Sequence, residues 1–153
     1  MIHLQPSTWD AICHHARETF PDECCGAILE NAGREEAQRV ANIQNAMHAK
    51  DPRSYPRDAT IAYFMDPKEL FAVLKQVDSG TATLKAFYHS HPNHDAYFSA
   101  EDKARAMFGE EPAYPDTTYL VISIYDRQVQ TIRAYRWEEE KKDFSEAAVS
   151  TEV

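Results

Sequence analysis

The chain reads as α/β or α+β: one layered domain with a central mixed β-sheet flanked by about three helices. Three observations predict this. Short apolar stretches with strand character alternate with stretches whose apolar residues recur at helical spacing. A length of 153 residues suits one core and is too short for two. No internal repeat, low-complexity run or linker divides the chain.

The elements follow in order. Trp9, Ile12, Cys13, Ala16 and Phe20 share a helix face, with Ser7 as the expected N-cap and Pro21 as the stop. "CCGAILE", Cys24 to Glu30, reads as a buried strand, "NAGREE" as a turn and "AQRVANIQN" as the second arm of a hairpin. Residues 46–58, "AMHAKDPRSYPRD", are polar and carry two prolines, which predicts an exposed loop of the kind that often holds function. "TIAYFM", Thr60 to Met65, is expected as a strand. The next helix is well marked: Asp66 caps it, Pro67 takes its first position, and Leu70, Val73, Leu74 and Val77 line one face. "TLKAFY", Thr83 to Tyr88, is a further strand. Ser99 then opens a helix expected to run to about Phe108 and end at Gly109. "TYLVISIY" is the most apolar strand, and "QVQTIRAYRW" pairs back on it across Asp126-Arg127. The folded domain is expected over residues 1–137. Residues 138–153 are expected as a charged tail, partly helical or disordered.

Composition narrows the function. A net charge of −9 repels phosphate backbones, so nucleic acid is a poor partner. No apolar run approaches the ~20 residues of a membrane span, and the first residues lack the pattern of a secretory signal. Cys13, Cys24 and Cys25 show no disulfide framework, which suits buried, reduced thiols and a cytoplasmic location.

Chemistry concentrates in "YHSHPNHDAYFSAED", Tyr88 to Asp102. If the strand continues through them, His89 and His91 point to one face, and Pro92 then ends the pairing. Asp102 falls in the first turn of the next helix, where the macrodipole favours a carboxylate. Two imidazoles and a carboxylate suit an open, catalytic zinc, with a fourth position left to water. Ser99 with Asp102 also has the spacing of a helix cap. His94 reads as a surface residue in a turn.

His-x-His-Pro, six residues, Ser, two residues, Asp is met by His89, His91, Pro92, Ser99 and Asp102. Five fixed positions would match by chance on the order of 10⁻⁵ to 10⁻⁴ times at ordinary residue usage. The pattern resembles that of the JAMM (MPN+) metalloproteases. "PDECCG", Pro21 to Gly26, is similar to the family's upstream glutamate segment, with Glu23 in the glutamate's place. The resemblance extends to "MDPKEL" and "TYLVISI" and so spans nearly the whole chain. One departure is Phe98, where many members have proline.

That resemblance implies deaminase-like layering and a stand-alone prokaryotic member of the family. It implies Zn²⁺ on His89, His91 and Asp102, Glu23 as the unligated general base, and Ser99 as oxyanion donor. Ser90 and Pro92 are then structural. The implied reaction is amide or isopeptide hydrolysis at the Gly-Gly tail of a ubiquitin-like or sulfur-carrier protein, including release of an amino acid built onto it. Loop 46–58 would grip that tail, with Arg53 and Arg57 facing an acidic partner surface. The rival is a non-catalytic MPN-type scaffold, which the complete set of site residues opposes. A zinc deaminase needs His-x-Glu and Cys-x-x-Cys, and a thermolysin-like enzyme needs His-Glu-x-x-His; neither pattern occurs. A cysteine hydrolase on Cys24 or Cys25 would require alkylation sensitivity and EDTA resistance.

Overall fold

The computed structural model describes residues 1–152. Its order is β1 (Ile2–Leu4), α1 (Pro6–Thr19), β2 (Cys25–Asn31), β3 (Arg34–Val40), α2 (Gln44–Lys50) and α3 (Pro67–Asp78). There follow β4 (Thr83–Pro92), α4 (Ala100–Arg105), β5 (Met107–Phe108), β6 (Glu111–Pro112), β7 (Thr118–Tyr125), β8 (Gln128–Glu138), β9 (Asp143–Ala147) and β10 (Val149–Thr151). Six strands form the central sheet in the order β3-β2-β4-β7-β8-β9. Only β4 and β7 run parallel within it, so the sheet is mixed as expected.

Alternation along the strands builds a core on each face. Cys24, Ile28, Ala86, Tyr88, Leu120, Ile122 and Ile124 pack with Ile12, Cys13 and Ala16 of α1. Their neighbours Cys25, Ala27, Leu29, Phe87, Tyr119 and Val121 pack on the other face with Val73 of α3. A strand covered on both sides loses its polar alternation, and β7 is accordingly buried from Thr118 to Ile124. The odd-numbered face of β4 is the one that continues into His89 and His91.

Gly26 sits where α1 meets the sheet. A Cβ there would lie 2.5 Å from the Gln38 carbonyl oxygen and from the Tyr88 phenol. That phenol instead passes over the glycine to hydrogen-bond His15 Nδ1 at 2.7 Å.

Several local expectations change. The first helix begins at Pro6, not after Ser7, because Pro6 fits the first position. "TIAYFM" is not a strand: the Asn42 side chain binds the Ala62 carbonyl and the Phe64 N–H, and only an isolated Asn42–Met65 bridge forms. Loop 46–58 begins as α2, which makes a fourth, short helix. The helix after Ser99 stops at Arg105, and the chain enters a short β5–β6 hairpin whose turn holds Gly109 at positive φ.

Residues 139–152 are neither helical nor disordered. β9 pairs with β8, and β10 lies parallel to β1. Phe144 drives this arrangement, being buried against Phe98, Tyr119 and Trp137. The Asp126-Arg127 turn behaves as read: both residues take positive φ, the geometry of a tight hairpin. All three cysteines are buried and free. Among the described residues no helix is long and apolar enough to cross a membrane.

Candidate metal centre and active site

Sheet register assembles the site. β2 and β4 run antiparallel with Cys25 opposite His89, so the residues preceding Cys25 lie beside those following His89. Glu23 is thereby carried to the histidines across a gap of more than sixty positions. Its segment is pinned on both sides: its N–H donates to the Ala59 carbonyl at 2.7 Å, and Asn42 Nδ2 donates to its carbonyl at 2.9 Å.

Asp102 arrives from the other direction, on α4. Ser99 Oγ accepts from the Asp102 N–H at 3.0 Å, and Asp102 Oδ2 accepts from the Ser99 N–H at 3.0 Å, a complete capping box. Phe98 anchors this turn in place of a proline. It is buried, stacked on Tyr135 (5.2 Å, 15°) and edge-on to Phe144.

Three donor atoms converge. His89 Nε2 and His91 Nε2 are 3.2 Å apart, and each is 3.2 Å from Asp102 Oδ2. A tetrahedral ion bonded at about 2.0–2.1 Å to its ligands sets them about 3.3–3.4 Å apart, so this triangle fits a small divalent cation. The protonation states fit as well. His91 Nδ1 lies 2.8 Å from the Asp95 carbonyl, which takes its N–H and leaves the Nε2 lone pair for the metal. Burial pushes the His89 imidazole down, which keeps it neutral. Burial alone would raise Asp102, but the facing imidazoles hold its carboxyl well below the usual carboxylate range.

Glu23 stands beside the triangle. One of its carboxylate oxygens and the two imidazole nitrogens all lie within 4.8 Å of one another. It is buried, and its Oε1 has no hydrogen-bond partner. Its carboxyl is raised well above the ordinary value, first by burial and then by the negative charges of Asp102 and Glu101. A buried carboxylate oxygen with no partner, beside the three donor atoms, has the chemistry of a proton acceptor.

All five residues named from the sequence therefore meet. Three participants were missed. Tyr63 stacks on the His89 ring (4.5 Å, 28°), Asp95 orients His91, and Arg105 lies over Tyr63 and Phe64. The Asp95 contact runs through its carbonyl, which any residue has, so no sequence signal marks it. Tyr63 and Arg105 sit in stretches that read as strand and helix.

Two cavities meet at Tyr63 and Arg105. One, of about 330 Å³, holds Glu23, His91, Ser99 and Asp102 with Arg57 and Glu101 on its wall. The other, of about 260 Å³, is lined by Phe64, Met65, Leu70, Phe87, Tyr114 and Tyr119 and is apolar. Loop 46–58 contributes Arg57 to the first cavity, while Arg53 lies outside both.

Comparison with known proteins identifies the family and the fold. A family model described as prokaryotic homologs of the JAB domain matches residues 5–138. The chain is 32% identical to a desampylase of Haloferax volcanii, over 99% of this chain and 96% of that protein. It is 28% identical to a CysO-cysteine peptidase of Mycobacterium tuberculosis, over 83% of this chain and 76% of that one. A solution structure of a Desulfitobacterium hafniense protein superposes with a TM-score of 0.72 at 22% identity, covering 99% of this chain and 93% of the other. A JAB1/MPN domain protein from Archaeoglobus fulgidus gives 0.52 at 13% identity, covering 99% and 98%. These two likenesses speak to the fold alone.

Proposed function

Because this chain belongs to the family of prokaryotic homologs of the JAB domain, we propose that it is a zinc-dependent peptidase cutting the amide bond that follows the Gly-Gly tail of a ubiquitin-like or sulfur-carrier protein. One observation carries the proposal: three ligand atoms in a 3.2 Å triangle with an unpartnered, buried carboxylate beside them. The two curated relatives, one a desampylase and one a CysO-cysteine peptidase by name, support a tail of this kind.

His89, His91 and Asp102 would hold the ion. Bound there, zinc would supply electrophilic polarisation of the scissile carbonyl and would acidify the attacking water towards neutral pH. The chain's own groups do the rest. Glu23 accepts a proton from the attacking water and returns it to the amide nitrogen as the C–N bond breaks and the new C–O bond forms. Its desolvated environment favours the protonated intermediate state. The Ser99 oxygen is used as an acceptor within the cap, so its O–H proton is free to donate to the developing oxyanion. A diglycine has no side chains, so it can approach the site as an extended strand where a bulkier tail is excluded.

The test is hydrolysis of Gly-Gly-tailed carrier fusions by the zinc-loaded protein, read by intact mass, with metal content followed by elemental analysis. Cleavage after the second glycine, lost in Glu23→Gln at full metal content, is the expected result. Full metal content without hydrolysis of any fusion returns the protein to the scaffold reading.

A further inference from the structure

The residue that must move a proton is also one whose oxygen nothing holds. Glu23 Oε1 is buried without a hydrogen-bond partner, so the place of its carboxylate is set by its main chain. That main chain lies outside the central sheet, since β2 begins at Cys25. The pairing of Cys25 with Val40, continued two positions further, would set Glu23 opposite Asn42. The ladder stops short of that pair. The Asn42 backbone turns instead to Met65, flanked by bonds from the Ile43 N–H to the Phe64 carbonyl and from the Asp66 N–H to the Ala41 carbonyl.

The Asn42 side chain closes the gap. Its Nδ2 donates to the Glu23 carbonyl at 2.9 Å and to the Ala62 carbonyl at 3.2 Å. Its Oδ1 accepts from the Phe64 N–H at 2.9 Å and from the Gln44 N–H at 3.0 Å. Both donors and both lone pairs of the amide are used. Turned over, the amide would face oxygen to two carbonyls and nitrogen to two N–H groups, so a single orientation fits. The bonds at Ala62 and Phe64 bracket Tyr63, the ring stacked on His89. One amide thus ties Glu23 to the aromatic cover of His89. A second asparagine works through Ala59: Asn45 Oδ1 accepts from the Ala59 N–H at 2.8 Å, and the Ala59 carbonyl accepts from the Glu23 N–H at 2.7 Å.

Both polar groups of the Glu23 main chain are therefore fixed, one by Asn42 directly and one through Asn45 and Ala59. Neither asparagine lines the polar cavity or belongs to the cluster of donor atoms. A hydrogen bond to the carboxylate itself would compete with the proton it has to accept. Bonds to the main chain place the carboxylate and leave its oxygen free. We propose that Asn42 and Asn45 are positioning residues for Glu23, holding its carboxylate beside the two histidines where it takes the proton of the attacking water. A shift of about 1 Å in such a group costs on the order of 10²-fold in rate. This rests on the hydrolytic reading above and extends it to residues that do not touch the substrate.

The experiment uses the zinc-loaded full chain and a Gly-Gly-tailed carrier fusion, with thermal melting and elemental analysis on every variant. Asn42→Ala lowers kcat about 10–100-fold, with KM within about threefold of wild type and zinc content unchanged. Asn45→Ala, at an exposed position, lowers kcat about 5–20-fold with the same split. Each change is then combined with Glu23→Gln, where the carboxylate to be placed is gone, and lowers the residual rate by less than about twofold further. A folded Asn42→Ala with kcat within about twofold of wild type overturns the assignment while hydrolysis stands. So does an undiminished further loss in the Glu23→Gln background, which would make the asparagines purely structural. Should Asn42→Ala melt below the assay temperature, Asn45→Ala decides by the same two criteria. A wild type that cleaves no fusion overturns the hydrolytic reading and this one with it.

Discussion

Ser99→Ala separates two jobs that one hydroxyl performs. Its oxygen accepts the Asp102 N–H at 3.0 Å, and removing an N-cap of this kind costs about 1 kcal/mol. For a chain of this length, that lowers Tm by about 2–4 °C. The second bond of the capping box survives, because the Ser99 backbone N–H still donates to Asp102 Oδ2. Asp102 therefore stays beside His89 and His91, and metal content is unchanged. The free O–H proton is lost, and with it one oxyanion donor, worth about 10²–10³ in kcat. Ser99→Thr keeps cap and donor and restores both readouts. The assays are thermal melting, elemental analysis and steady-state hydrolysis of a carrier fusion. A kcat within about threefold of wild type alongside the lowered Tm would show that Ser99 only caps the helix, and the oxyanion assignment would be withdrawn.

Glu23→Gln removes a buried, unpartnered charge; hydrolysis falls by about 10²–10⁴ while metal content and Tm hold or Tm rises, as elemental analysis and melting will record. Gly26→Ala drives a methyl to 2.5 Å from the Gln38 carbonyl and the Tyr88 phenol, and denaturant titration should register a loss of about 1–3 kcal/mol. His15, buried against Tyr88, has its pKa pulled from 6.5 to about 4, first by burial and then by Arg39. Its folded value lies below the unfolded one, so its stabilisation is full above pH 6.5 and is lost as pH falls towards about 4. That loss amounts to about 2 kcal/mol after allowance for its partial solvation, and His15→Gln should flatten the melting profile across that window. Removing residues 139–153 deletes β9 and β10 and exposes the aromatic cluster around Phe144. Truncation of a frayed tail would leave Tm unchanged; here the shortened chain should melt about 6–20 °C lower, on the basis that Phe loss from a core costs about 3–5 kcal/mol.

Residue order alone determined whatever is local. His89, His91 and Pro92 share one strand whose period of two puts both rings on a single face. Ser99 and Asp102 share one helix turn whose capping box aims the carboxylate. Asp66 and Pro67 mark α3. Glu23 was legible only through resemblance, because its partnership with the histidines is a matter of register: Cys25 had to pair with His89, and nothing near Glu23 in the chain says so. The tertiary structure decided the remainder for the same reason. Asn42 replaced a strand ladder at Ala62–Phe64 with side-chain bonds, and Gln44 tied Arg57 to Arg105 across more than forty positions. Phe144 folded a charged tail into β9 by burying one ring among Phe98, Tyr119 and Trp137. Backbone periodicity and capping act over a turn or a strand and can be read from neighbouring residues. Long-range side-chain bonds and aromatic packing exist only once the sheet has brought distant segments together.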